Sequence, residues 1–187
     1  TAAVAAAVVV TRRAELDGVG KSLVVVTWDF RGAAAAAAAV LAADATANDV
    51  VGAVEAGGNY CEERPDECDL SVGYNTKPDD ANRVTLDAMI MDAQTHRAAG
   101  VGCLTRTRKA ISVARAVMDK TTHSLLVGVD ADAFAHRAGF ADEELSGARS
   151  RAAYDAWVAN DYKPNYWRAS SGHKYPNETA AATAAAA

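Results

Sequence analysis

Cys61 and Cys68 flank Glu62–Glu67, with Pro65 between them. That spacing is too long for a zinc knuckle and well suited to a small covalent loop. A disulfide is therefore expected, contributing roughly 2–3 kcal/mol through loop closure and implying an oxidising compartment. The third cysteine, Cys103, lies in an apolar segment and reads as a small buried side chain. His96, His123, His136 and His173 are scattered singly, and none has a second histidine at helical spacing or a paired cysteine, so no metal site is expected. Gly18–Val19–Gly20–Lys21–Ser22 precedes a strand instead of following one and reads as a turn, not a phosphate-binding loop. Gly100–Val101–Gly102 lacks a third glycine opening the next helix. Ser71 follows the acidic cysteine loop with no His or Lys near it in sequence, which favours a turn serine over a nucleophile. Asn177–Glu178–Thr179 fits the glycosylation acceptor pattern.

The elements around these residues follow from patterning. Leu23–Thr27 is a β-branched run and reads as a buried strand, breaking into a loop at Trp28–Asp29–Phe30 that carries two aromatics. Ala33–Ala42 is helix-prone, and Asn48–Ala56 predicts a second helix ended by Gly57–Gly58. Tyr60–Arg83 is rich in Asp, Glu, Pro, Asn and Gly and reads as a long loop, the first place to look for a site. In Val84–Asp92, Leu86, Ala88 and Ile90 share one strand face while Met89 and Met91 make the other apolar, which predicts a strand covered on both sides. A polar turn at Gln94–Arg97 leads to a neighbouring strand, Ala98–Leu104. Ile111, Ala114, Val117 and Met118 recur at helical spacing, giving an amphipathic helix over Arg108–Lys120 with Thr105 or Thr107 as N-cap. Ser124–Gly128 is another apolar strand. Asp130 then caps a short helix to Ala138, with Gly139 as its C′ residue. Ser146 opens a last helix whose Tyr154, Trp157 and Val158 share a face. The class is mixed α+β without a repeat.

The bulk properties exclude some functions. At 187 residues the chain has the size of one domain or one subunit. Its net charge is −5, and it has no Lys/Arg-rich run to neutralise a phosphate backbone, so nucleic acid is not an expected partner. Ala2–Val10 is stopped by Thr11, Arg12 and Arg13, short of the ~18 apolar residues a spanning helix needs, so no membrane span is expected. That stretch suits a signal-peptide remnant or a frayed N-terminal tail equally well, and the start of the gene product is expected to precede Thr1.

Several segments, taken together and in order, resemble the α subunit of the glycosylasparaginase (aspartylglucosaminidase) family of N-terminal nucleophile hydrolases. They include Val25–Val26–Thr27–Trp28–Asp29–Phe30, Cys61–Glu62–Glu63–Arg64, Cys68–Asp69, Ser71–Val72–Gly73–Tyr74, Thr85–Leu86–Asp87–Ala88–Met89–Ile90–Met91–Asp92, Thr121–Thr122–His123, Leu125–Leu126–Val127–Gly128 and Pro164–Asn165–Tyr166–Trp167–Arg168. The sequence departs from the family at Ala93, where a glycine is common, in the wider spacing of Cys61 and Cys68, and in having no cysteine after Cys103.

The resemblance implies a four-layer αββα sandwich shared with a β subunit from the same precursor, in an (αβ)2 assembly. It places an N-terminal tail at 1–22, the α-subunit part of the sandwich at 23–168 and a C-terminal tail toward the cleavage point at 169–187. The implied reaction is hydrolysis of the N-acetylglucosamine–asparagine linkage by a threonine that opens the β subunit. No catalytic nucleophile is then expected here, since the family's cleavage motif is absent and Thr183 stands in an alanine tail. Trp28 and Phe30 would line the substrate pocket, with Ser71 near it, and no cofactor or metal is expected. The implied compartment is the lysosome or another secretory or periplasmic space. Other readings are an asparaginase or isoaspartyl peptidase of the same fold and a non-catalytic binding domain.

Overall fold

The structure is a computed structural model that describes residues 8–12, 22–43 and 49–163. Two sheets are present among these residues. In the first, β1 (Val8–Arg12) pairs antiparallel with β2 (Ser22–Val26), Val9 standing opposite Val25. A strand therefore lies inside the stretch read as a tail. In the second, the order is β3 (Leu86–Asp92), β4 (Arg97–Leu104), β5 (Leu125–Val127). β3 and β4 form an antiparallel hairpin, and β5 runs parallel to β4. A parallel neighbour requires a crossover, which is supplied by helix α3 (Ala110–Lys120).

One face of this sheet is the main core. Leu86, Ile90, Ala99, Val101 and Leu104 meet Ile111, Val113, Ala114, Val117 and Met118 of α3, with Ala131 and Ala135 of α4 (Val129–Arg137) and Leu145 completing the cluster. The helical spacing that predicts α3 is thus the spacing of its buried face. The opposite face is bare. Met89 is 66% exposed, Met91 52%, Leu125 59% and Val127 52%. The sequence reads β3 as a strand covered on both sides; the described residues leave its second face, with Met89 and Met91 beside Asp87, uncovered in this chain. The β3–β4 register slips between Leu86 and Ala88, and Cys103 at the bulge has φ 53°. Cys103 is consequently half-buried, not buried within a regular strand.

Helices α1 (Arg31–Ala43) and α2 (Val50–Glu63) form a hairpin closed by Ala33, Ala37 and Ala53, all fully buried. Asp49 caps α2, its side chain accepting the Gly52 N–H at 2.7 Å. The helix does not end at Gly57–Gly58 but continues to Glu63. A Cβ added at Gly58 would lie 3.0 Å from the Ile111 side chain, so the glycine permits close approach of α2 to α3. That packing outweighs the roughly 1 kcal/mol that an interior glycine costs a helix.

Other helix ends also differ from expectation. The first turn of α3 is capped by neither Thr105 nor Thr107: Glu62 reaches over from α2 and accepts the Ile111 N–H at 2.9 Å. Thr105 instead bonds Asp132, its backbone N–H at 3.0 Å and its hydroxyl at 2.6 Å. Asp130 lies within the first turn of α4, with Gly128 at the N-cap. The C-terminal expectation holds, Gly139 following Ala138 at φ 95°. Helix α5 (Ala148–Ala159) opens at Gly147, one residue after Ser146, whose hydroxyl accepts the Val84 N–H at 3.3 Å.

Candidate functional site

Trp28 sits just beyond β2 and is 54% exposed. Asp29 and Arg31 pair beside it in solvent at 2.9 Å. Phe30, expected as a second ring beside Trp28, is turned inward and only 6% exposed. It packs with Ala33, Cys61 and Cys68, and Val26, Tyr60 and Val72 lean on the same cluster. The Phe30 N–H donates to the Trp28 carbonyl at 2.7 Å, tying the exposed ring to the buried one through the backbone.

Cys61 and Cys68 form a disulfide. Cys61 belongs to the last turn of α2 and Cys68 ends a one-turn 3-10 helix, Pro65–Cys68, which begins at the proline that stops α2. Asp69 (φ 52°) and Leu70 (φ 51°) then take left-handed backbone in succession. Two adjacent non-glycine residues in that region cost of order 1–3 kcal/mol each, a cost often met at functional turns. Ser71 follows, half-buried, its N–H donating to the Cys68 carbonyl at 3.0 Å. Gly73 has φ 97°, and a Cβ there would stand 2.6 Å from the Glu62 carbonyl oxygen, so only glycine lets this turn rest on the end of α2.

Phe30 and the disulfide thus share one small apolar cluster, and Trp28 and Ser71 are each joined to a member of it by a backbone hydrogen bond. Two residues of this region, Tyr60 and Glu62, are not singled out by sequence, because the expected helix stops before them. The Tyr60 ring occupies the space where a side chain at Gly32 would stand. Its hydroxyl bonds Glu67, and the Arg64 guanidinium lies 4.7 Å from its ring centre. Glu62 is buried. Burial pushes its carboxyl up from 4.5 to about 8, opposed chiefly by the Ile111 hydrogen bond, with Glu63 adding to the rise and Lys109 reducing it. Its Oε2 is buried without a hydrogen-bond partner among the described residues.

Among the described residues, no hydroxyl or thiol donates to a histidine or lysine base, and no group of three or more His, Cys, Asp or Glu is placed to hold a metal ion. His136 lies 3.8 Å from Asp142, an exposed surface pair. Gly18–Lys21, His173, Asn177 and Thr183 lie outside the described residues, as does Pro164–Arg168. A cavity of about 710 Å³ opens among Lys120, His123, Asp130, Phe134 and Arg137, and none of Trp28, Phe30 and Ser71 lines it. No described helix is long and apolar enough to cross a membrane.

The family model described as asparaginase matches residues 6–186. The chain is 44% identical over 146 residues to the N(4)-(beta-N-acetylglucosaminyl)-L-asparaginase of Mus musculus, covering 78% of this chain and 41% of that protein. The protein of the same name from Elizabethkingia miricola is 42% identical over 146 residues, covering 77% and 41%. The chain thus spans about two fifths of the length of the curated relatives it matches.

Proposed function

We propose, from the fact that this chain belongs to the asparaginase family, that it is the α part of an amidohydrolase cleaving the bond between N-acetylglucosamine and an asparagine side chain. The observation that carries this reading is a sheet face left bare, with Met89, Met91, Leu125 and Val127 exposed, in a chain that matches 41% of the length of a protein named N(4)-(beta-N-acetylglucosaminyl)-L-asparaginase. The remaining part, a β subunit from the same precursor, lays a second sheet on that face. This completes an αββα sandwich and supplies a threonine as its first residue. Two such pairs form an (αβ)2 assembly.

The reaction follows from that division. The threonine hydroxyl, its proton taken by its own α-amino group, attacks the side-chain amide carbonyl, and the glycosylamine leaves with that proton. Water then hydrolyses the β-aspartyl ester, releasing aspartate and restoring the hydroxyl. This chain's contribution is binding: the exposed Trp28 ring presents an apolar face to the sugar, and the Ser71 turn borders the same pocket. Trp28 also favours the glycosylated substrate over the second reading, a plain asparaginase or isoaspartyl peptidase, which has no sugar to place. The disulfide supports an oxidising compartment, lysosomal, secretory or periplasmic.

Two preparations test the proposal: this chain alone, and the full precursor. The chain alone is expected to release no aspartate from N4-(β-N-acetylglucosaminyl)-L-asparagine. The precursor should yield turnover and a second chain with threonine at its N-terminus. Turnover by the isolated chain, or a second chain beginning with another residue, would overturn the assignment.

A further inference from the structure

The geometry points to the Cys61–Cys68 disulfide, with Phe30 packed on it, as a positioning unit that sets the Trp28 ring and the Ser71 turn at a fixed separation. Discrimination for the sugar-bearing substrate therefore depends on a buried cluster that never touches it. The inference rests on the proposal that Trp28 and Ser71 border the pocket and adds residues to which that proposal assigns no role.

Two segments distant in sequence, residues 26–33 and 60–72, converge on the unit. Cys61 and Cys68 are buried at 2% and 0% exposure, and Phe30 and Ala33 bring the start of α1 against them. On one side the Phe30 N–H holds the Trp28 carbonyl at 2.7 Å; on the other the Cys68 carbonyl accepts the Ser71 N–H at 3.0 Å, and Val72 packs on the same cluster. Each pocket residue is thus one backbone hydrogen bond away from a member of the cluster. A second tether runs parallel to the first. Tyr60, next to Cys61, covers Gly32 with its ring and bonds Glu67, inside the disulfide loop, with its hydroxyl. Since Gly32 follows Phe30 by two residues, Tyr60 clamps the Trp28 loop from outside while the disulfide holds it from beneath.

Without the cross-link, only the backbone of residues 64–67 joins Cys68 to α2, and the left-handed pair Asp69–Leu70 loses a constraint that holds it in sparsely populated backbone. The Ser71 turn and Phe30 would shift against each other. Because the threonine lies in the other part of the molecule, the loss should fall on sugar binding and not on the chemical step.

The test uses the assembled two-chain enzyme and measures kcat and KM on N4-(β-N-acetylglucosaminyl)-L-asparagine and on free asparagine. The variants are the double Cys61→Ser/Cys68→Ser, Phe30→Ala, Phe30→Leu, Tyr60→Phe and Trp28→Ala. The double cysteine variant and Phe30→Ala should each raise KM for the glycosylated substrate at least five-fold more than KM for asparagine, with kcat within about threefold of wild type. Phe30→Leu, which keeps an apolar wedge, should recover most of that loss, and Tyr60→Phe should show a smaller shift in the same direction. Equal changes on both substrates, or a fall confined to kcat, would overturn the positioning role. If Trp28→Ala alone raises the sugar-specific KM, the pocket reading stands and this inference fails. If Trp28→Ala leaves it unchanged, the pocket reading itself fails. Should the cysteine and Phe30→Ala variants not assemble, Tyr60→Phe decides, and wild-type kinetics in that variant would overturn the proposal.

Discussion

Glu62 is a carboxyl group sealed between α2 and the first turn of α3, with one oxygen on the Ile111 N–H and the other unpartnered among the described residues. Burial favours its neutral form, so the folded chain holds this proton up to about pH 8, whereas an unfolded chain releases it near 4.5. The folded state then binds more protons between those values, and stability must fall as pH rises through that window, by at most about 1.4 kcal/mol per pH unit. Below pH 4.5 the contribution is complete; above 8 it is gone. Glu63, Lys109 and Glu55 also face the group, and the Lys109–Glu63 pair at 3.0 Å partly offsets their charges. The substitution Glu62→Gln keeps an acceptor for Ile111 but cannot ionise. Thermal midpoints of both proteins between pH 4.5 and 8.5 should diverge, the wild type losing stability relative to the variant as pH rises. Parallel curves would show that Glu62 does not carry the dependence.

Among the elements, α2 shows how far local signals reach. Gly57–Gly58 reads as a helix end because glycine is a weak helix former, yet the helix runs on, since Gly58 faces Ile111 with no room for a larger side chain. Gly58→Leu should therefore improve helix propensity and still destabilise the protein by about 1–3 kcal/mol, as overpacking does, in a urea titration. A neutral or stabilising result would refute the close-approach account. The same comparison explains what else was legible. The strand Leu125–Val127, the helix Ala110–Lys120 and the glycine at 139 rest on patterns within a dozen residues, and the sequence displays them openly. The cap of α3 comes from Glu62, 49 positions away, and no local motif announces it. Phe30 and Trp28 are equally aromatic on paper. Only the fold distinguishes the ring that meets the disulfide from the ring that meets solvent.

Across the whole molecule, the decisive feature is the uncovered side of the three-stranded sheet. Met89 stands opposite Gly100, and Gly100 stands beside Leu125; Gly102 pairs in the same way with Val127. The two glycines lower the middle strand between Met89 and Met91 on one side and Leu125 and Val127 on the other, with Asp87 beside Gly102 at one end, a surface a second layer can approach closely. Isolated exposed apolar side chains need no explanation, but a contiguous set on a strand face marks a contact site. If that contact is the β part, one buried charge at its centre should break the assembly without unfolding this chain, because Met89 is 66% exposed here and contributes little to its own core. Met89→Asp, introduced into the precursor, is expected to abolish co-purification of the two chains and all aspartate release, since an unpaired carboxylate buried in an apolar interface costs several kcal/mol. Ala159→Asp, at the exposed end of α5, should leave both intact. Circular dichroism of the Met89→Asp chain expressed alone should match that of the wild-type chain. Assembly and activity that survive Met89→Asp would mean that the bare face is not where the rest of the enzyme docks, and the second sheet would have to be sought elsewhere on the molecule.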